Sequence, residues 1–292
     1  MCKIKVMPNF RTKIFVSILL FFLGFTLFFS PAVFSQETVS FENILAEYNL
    51  KNEEYKKARS EYLLKRGQYL KFRTLKSEAD AYEATLAMLE LRDDMVVFYL
   101  LAIEKRLTDS PLVSDERRAT LNFTIIEETA WFKNHRDNLV SAGTLENLVK
   151  DSDLAKERYE IIEPLAYEIF ATISFSKLDS FYQRMKKISL AINEKIEGIV
   201  GEEREEYQLS VRKQGILGRW IFESDGRIAR GEEKKTEAEN FIFKSVASDA
   251  SKHTMTSSGY SKIVVILGES RLFLNEASSL LKEIIREVKI VE

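Results

Sequence analysis

An aromatic residue falls on every seventh position at the start of this chain's polar body: Phe41, Tyr48, Tyr55, Tyr62 and Tyr69. Each tyrosine follows a Glu or Gln, at Glu47, Glu54, Glu61 and Gln68. A helix turns once per 3.6 residues, so a seven-residue aromatic period holds one narrow stripe toward a partner helix. The intermediate seam positions are Ile44, Lys51, Ala58, Lys65 and Phe72. Two of them are lysines, whose stems are expected to lie along the tyrosine rings with the ammonium groups in water. Glu47–Lys51, Glu53–Lys57 and Glu61–Lys65 stand four residues apart in the favourable order, each pair worth roughly 0.2–0.5 kcal/mol.

A tyrosine stripe can also be a surface for a glycan or peptide. The spacing suits helix packing better than a pocket, so the stripe reads first as a coiled-coil-like seam. Tyr48, Tyr55, Tyr62 and Tyr69 remain candidates for partner interaction.

Ahead of this stretch, Lys3, Lys5, Arg11 and Lys13 precede an uncharged, apolar run from Ile14 to Phe34. Pro31 interrupts that run, and Val33-Phe34-Ser35 precedes Gln36. The layout is that of a secretory signal peptide cut before Gln36. An uncleaved anchor is the alternative, because the run is long enough to span a bilayer. Either way the positive end stays cytoplasmic and the body is exported. The domain expectation is a targeting segment at 1–35 and a helical domain at 36–292, with possible sub-bundles at 36–200 and 201–292.

The single cysteine, Cys2, lies in the targeting segment. The rest of the chain therefore holds no disulfide, thiolate metal site or cysteine nucleophile. Residues 1–35 hold four basic and no acidic side chains, so the net charge of −2 becomes −6 without them. That balance argues against nucleic acid as the main partner, since phosphate binding needs an excess of Lys and Arg.

Periodicity divides the rest into helices. A first helix at 41–73, with Ser40 as N-cap, and a second at 77–108 suggest an antiparallel hairpin. One continuous helix with a three-residue skip is the alternative. Ser77–Asp80 resembles a capping box, and Asp93 interrupts the second apolar seam. Thr108-Asp109-Ser110-Pro111 is a stop signal. A third helix runs from Ser114 to about Ala142, with Leu121, Ile125, Phe132 and Leu139 inward. A short helix at 144–150 precedes a long element capped by Asp151-Ser152-Asp153. Leu154, Ile161, Leu165, Ile169, Ile173, Leu178, Phe181, Met185, Ile188, Ile192 and Ile199 form its apolar face, and Pro164 is expected to kink or split it. The glycine-bearing stretch from Gly198 to Gly231 looks helical from Arg204 to Trp220 and turn-like at Glu223-Ser224-Asp225-Gly226. A helix from about Glu232 to Ala250 follows, then a loop at 251–259. The final helix has the cleanest seam: Tyr260, Ile263, Leu267, Ser270, Leu274, Ala277, Leu281, Ile284 and Val288. The fold class is all-α, an elongated multi-helix bundle with coiled-coil-like hairpins.

Chemistry is sparse. His135 falls near a helix seam and reads as a satisfied structural histidine; His253 falls in the loop and reads as solvated. Two distant histidines make a zinc site improbable. Paired acids such as Glu127–Glu128, Asp93–Asp94, Glu202–Glu203 and Glu205–Glu206 read as solvated helix faces. No nucleophile elbow, phosphate loop or dinucleotide fingerprint occurs. Asn122-Phe123-Thr124 matches a glycosylation triplet but falls inside a helix. Trp220 and Phe222, with Phe241 and Phe243, flank the glycine-bearing region and are candidates for a partner-binding aromatic lip.

The expectation is an exported, non-enzymatic helical scaffold that uses no cofactor and no metal. Its partner is a protein or a second copy, met through helices, with membrane contact only through an uncleaved N-terminal segment. A membrane-anchored sensor or ligand-binding bundle is the alternative.

Overall fold

A computed structural model describes residues 40–139, 143–201, 209–246 and 253–289. Residues 1–35, where a targeting segment is expected, lie outside the described residues, as do Ala142, Glu202–Glu203, Glu205–Glu206 and the 247–252 stretch. The described residues form six helices and no strand. They are α1 (Phe41–Phe72), α2 (Leu75–Thr108), α3 (Asp115–Leu139), α4 (Leu145–Val200), α5 (Val211–Val246) and α6 (Ser257–Lys289). The all-α bundle expected from the periodicity is what the chain adopts.

The heptad stretch is the first arm of a hairpin. Ser40 Oγ accepts from the Asn43 N–H at 3.2 Å and opens α1. The helix closes at Arg73, which takes a left-handed backbone (φ 45°, ψ 40°) and donates its N–H to the Tyr69 carbonyl at 2.9 Å. Thr74 then opens α2 with a capping box. Its Oγ1 accepts from the Ser77 N–H at 3.2 Å, and Ser77 Oγ accepts from the Thr74 N–H at 3.0 Å. The box expected at Ser77–Asp80 is therefore one turn earlier. Only Arg73 and Thr74 separate the arms, so α1 and α2 run antiparallel. Phe41 faces Arg106, Tyr48 faces Tyr99, Lys51 faces Asp94 and Lys65 faces Asp80.

Three apolar clusters follow one another through the bundle. Met88 and Leu89 meet Leu139 and Leu148, with Tyr55, Ala58 and Tyr62 of α1 against them. Val96, Leu100, Ile103 and Leu107 of α2 pack with Leu121, Ile125 and Phe132 of α3 and Ile162, Leu165 and Ile169 of α4. Leu178, Tyr182 and Met185 of α4 pack with Leu217, Ile228, Ala238 and Ile242 of α5 and Ile263, Leu267, Leu274, Leu281 and Ile284 of α6.

The structure corrects several boundaries. The short helix at 144–150 and the long element after it are one helix, α4, opened by Thr144 Oγ1 accepting from Asn147 N–H. Asp151, Ser152 and Asp153 lie inside it rather than capping it. Pro164 sits within α4 without splitting it. Proline withdraws the helical donor of the Glu160 carbonyl; Glu160 is exposed, so water can supply that bond. The inward face of α4 is also one position out of step with the expectation at its start. Ala155 and Ile162 are buried, whereas Leu154 is exposed, as is Ile188 farther on.

The turn expected at Glu223–Gly226 is likewise absent: this segment is mid-α5. Its inward positions are Lys213, Leu217, Ser224, Ile228, Gly231, Ala238 and Ile242, all spaced as on one helix face. Lys, Ser and Gly occupy seam positions there, which hides the period from a search for apolar residues. Gly231 has a steric reason. A Cβ at that site would come within 2.9 Å of Leu274 Cδ2 and 3.0 Å of its Cγ, and Leu274 is fully buried. The close approach also lets Ser270 Oγ donate to the Gly231 carbonyl at 2.7 Å. The α6 seam is as expected: Ile263, Leu267, Ser270, Leu274, Ala277, Leu281 and Ile284 are buried.

Two glycines of α5 should therefore respond oppositely to alanine. Gly226 meets nothing within 4 Å, so Gly226→Ala should stabilise by about 1 kcal/mol through helix propensity. Gly231→Ala should lose about 1–3 kcal/mol to overpacking, exceeding that gain. Thermal unfolding of both variants checks the difference in sign.

Candidate functional site

The buried ionisable groups are tied up between helices. Asp93, in the α2 seam, is fully buried. His135 Nδ1 of α3 lies 2.5 Å from its Oδ2, and Arg92 Nε donates to its Oδ1 at 3.1 Å. His135 Nε2 lies 3.0 Å from the Asp151 carbonyl on α4, and its ring stacks on Trp131 at 4.9 Å. The residue that broke the apolar period is thus the node joining α2, α3 and α4.

A second node sits on Glu168 of α4, also buried. Arg117 of α3 donates to its Oε1, and His253 Nδ1 lies 2.7 Å from its Oε2. His253 is therefore not solvated as expected; it ties the segment ahead of α6 to α4. On a third, Arg158 Nε donates to the buried Glu128 at 2.7 Å. Burial pushes the Glu128 carboxyl above its ordinary value, with Arg158 opposing. The pair Glu127–Glu128 is thus half surface and half interior. Removing one member of a buried ion pair costs about 3–5 kcal/mol, so Glu168→Ala should destabilise by about that much in chemical denaturation.

The tyrosine stripe lies on α2. Tyr48, Tyr55, Tyr62 and Tyr69 are all half-buried, and no residue of α1 is fully buried. Tyr48 and Tyr99 have ring centroids 5.8 Å apart. The seam lysines do not simply reach into water. Lys51 Nζ lies 2.9 Å from Glu54 and 3.9 Å from Asp94; Lys65 Nζ lies 3.4 Å from Asp80. Burial, with Tyr159 and Tyr48 alongside, pushes the Tyr99 phenol from 10.0 up to about 12. A raised acid favours folding below its unfolded value and loses that contribution as pH rises through the folded one. Tyr99 should thus weaken the fold between pH 10 and 12. Tyr99→Phe should move the alkaline unfolding midpoint, followed by circular dichroism, to higher pH.

Tyr55 contributes to a half-open groove of about 430 Å³ among α1, α2, α3 and α4. Met95, Val96, Phe132 and Ala155 give it an apolar floor, and Lys156 and Tyr159 stand at its wall.

The candidates around α5 are not gathered. Trp220 packs on the cluster shared by α4, α5 and α6, while Phe222, two residues on, is 82% exposed. Phe241 carries the Lys262 ammonium 4.0 Å from its ring centroid, and Phe243 is exposed.

A larger groove was not legible in the sequence. It measures about 650 Å³ and runs between Ser174–Arg184 of α4 and Val264–Asn275 of α6. The two helices run in the same direction here, because Tyr167 stacks on Tyr260 at 5.4 Å and the later residues follow in step. Leu178, Phe181, Val264 and Leu267 form the floor, and Lys177, Arg184 and Arg271 the cationic walls. No acidic side chain lines it. Lys177 and Arg271 make no ion pair among the described residues, and Arg184 donates only to the Ser180 carbonyl at 3.4 Å. Two acids of the same helices are already taken: Asp179 meets Lys235 at 2.7 Å, and Glu269 meets Lys234 at 2.9 Å. The signal in the sequence was Lys177 and Arg184 seven residues apart on one face. The cation across the groove comes from a helix some ninety residues on, which no local pattern can announce.

Among the described residues, no group of three or more His, Cys, Asp or Glu could hold a metal ion, and no helix is long and apolar enough to cross a membrane. Compared with known proteins, the chain matches no family model, no curated protein and no solved structure.

Proposed function

We propose that this chain is an exported, non-enzymatic helical interaction protein, and that the groove between α4 and α6 receives an acidic amphipathic helix of a partner protein. The observation that carries the reading is three cations without carboxylate partners around an apolar floor, in a chain whose acids outnumber its bases. Two parallel helices leave a trough between them, and a third helix fills such a trough by ridges-into-grooves packing. Lys177 and Arg184 stand seven residues apart on α4, about 10.5 Å along the axis. Glutamates at the same spacing on a docked helix meet both, with leucines between them on Leu178, Phe181 and Val264. Concavity favours a cylinder over a flat bilayer. The basic-then-apolar layout of residues 1–35 supports export.

The non-enzymatic part of the reading is supported by where the reactive side chains are spent. Asp93, His135, Glu168, His253 and Glu128 are each held by a partner on another element. A second reading, a ligand-binding bundle, is favoured by the Tyr55–Tyr159 groove, whose volume lies within the usual range for small-molecule pockets.

The test uses the full chain and a fluorescein-labelled helical peptide with glutamates seven residues apart flanking leucines. Anisotropy should show binding that falls at least tenfold in Lys177→Glu/Arg184→Glu/Arg271→Glu, with helicity unchanged, and that is lost when lysines replace the peptide glutamates. Equal binding by the triple variant, or none by the wild type up to about 1 mM, would refute the groove as the docking site.

A further inference from the structure

The apex of the α1–α2 hairpin combines two features that the bundle does not need. From Tyr62 to Ser77 the chain carries Lys65, Arg66, Lys71, Arg73 and Lys76 and no acid. Lys65 is engaged by Asp80. The other four are exposed and make no ion pair among the described residues; Lys71 only overhangs the Phe72 ring at 5.1 Å. In the same stretch stand exposed apolar side chains: Leu63, Leu64, Leu70, Phe72 at 60% and Leu75 at 87% exposure. Few positions of a folded surface leave leucine so open, and here five large apolar residues gather at one end of one hairpin.

Fold stability does not account for these choices. A cation in the last turn of α1 complements the helix dipole, which explains Lys71; Lys76 in the first turn of α2 opposes it. Arg73 holds a left-handed backbone (φ 45°) that glycine adopts at lower cost. The chain thus keeps a cation at the turn at the expense of backbone energy. The apex is short and capped, with two linking residues and a reciprocal cap on the second.

We propose that the hairpin apex inserts into the interface of an anionic bilayer. Leu70, Phe72 and Leu75 enter the headgroup–acyl boundary, while Arg66, Lys71, Arg73 and Lys76 reach the lipid phosphates around them. A convex wedge of leucine and phenylalanine ringed by lysine and arginine has the composition of an interfacial anchor. Each basic residue close to an anionic surface adds about 1 kcal/mol, so four of them with three apolar side chains suffice for reversible attachment. An acidic protein surface would satisfy the cations but would need a pocket for the protruding leucines; a bilayer accepts them anywhere.

The experiment places an environment-sensitive nitrobenzoxadiazole label on the full chain carrying Cys2→Ser and Leu75→Cys, so that the signal reports the apex and not the N-terminal segment. Vesicles of phosphatidylcholine with 30% phosphatidylglycerol should blue-shift the emission and raise its intensity at least twofold. Pure phosphatidylcholine should not, and Arg66→Glu/Lys71→Glu/Lys76→Glu should weaken partitioning at least tenfold and remove its salt dependence. A label at Lys195→Cys should stay unchanged throughout. The proposal is overturned if the apex label does not respond to anionic vesicles, if neutral vesicles produce the same response, or if the triple charge reversal leaves it intact. A response to an acidic polypeptide such as polyglutamate, with none to anionic vesicles, would assign the apex to a protein instead.

Discussion

The bundle depends on α4 running unbroken from Leu145 to Val200. Its first half packs with α2 and α3, and its second half with α5 and α6. The changeover comes around Ala171 and Ile173, which belong to different clusters although they are two residues apart. A break at Pro164 would fall inside the cluster that α4 shares with α2 and α3, which takes Ala155 and Ile162 before that residue and Leu165, Ile169 and Ile173 after it. Continuity through that residue instead makes the helix a common wall. The proline is tolerated because the carbonyl it deprives belongs to an exposed residue. Glu168, one turn farther on, carries the ties that bring α3 and the segment before α6 onto this wall.

Those ties decide how the helices are matched. A bundle of long amphipathic helices can slide by a turn at small hydrophobic cost. A buried carboxylate cannot slide, because losing its partner strands a charge in the interior. Asp93 with His135, Glu168 with Arg117 and His253, and Glu128 with Arg158 each fix one axial level. On the hairpin, Lys51 with Asp94 and Lys65 with Asp80 do the same for α1 against α2 at the surface. The polar residues in apolar seams are the register marks of the fold.

The parts readable from sequence were those where one residue class repeats at helical spacing. The tyrosine heptads, the inward face of α3 and the seam of α6 fall where their periods put them. Reading failed where packing chose unlike residues for like positions. In α5 a lysine, a serine and a glycine share a face with leucine and isoleucine, so a continuous helix resembled a turn. His253 looked solvated because its neighbours in sequence are polar, whereas its partner lies 85 residues away. Of the six candidate contact residues, the four tyrosines proved to share one seam, and Trp220 and Phe222 point apart. The cationic groove between α4 and α6 had no local signature, since each wall alone is an ordinary charged helix face.

The absence of any fully buried residue in α1 has a consequence for how the protein comes apart. Regions with few interior contacts open at a free energy well below that of global unfolding. An arm held by half-exposed rings and surface ion pairs can peel from α2 while the clusters behind it stay closed. Its backbone amides should then exchange with solvent far faster than those of α4 or α6, and in a salt-sensitive way. The long first helix behaves as a latch on the bundle rather than as one of its pillars.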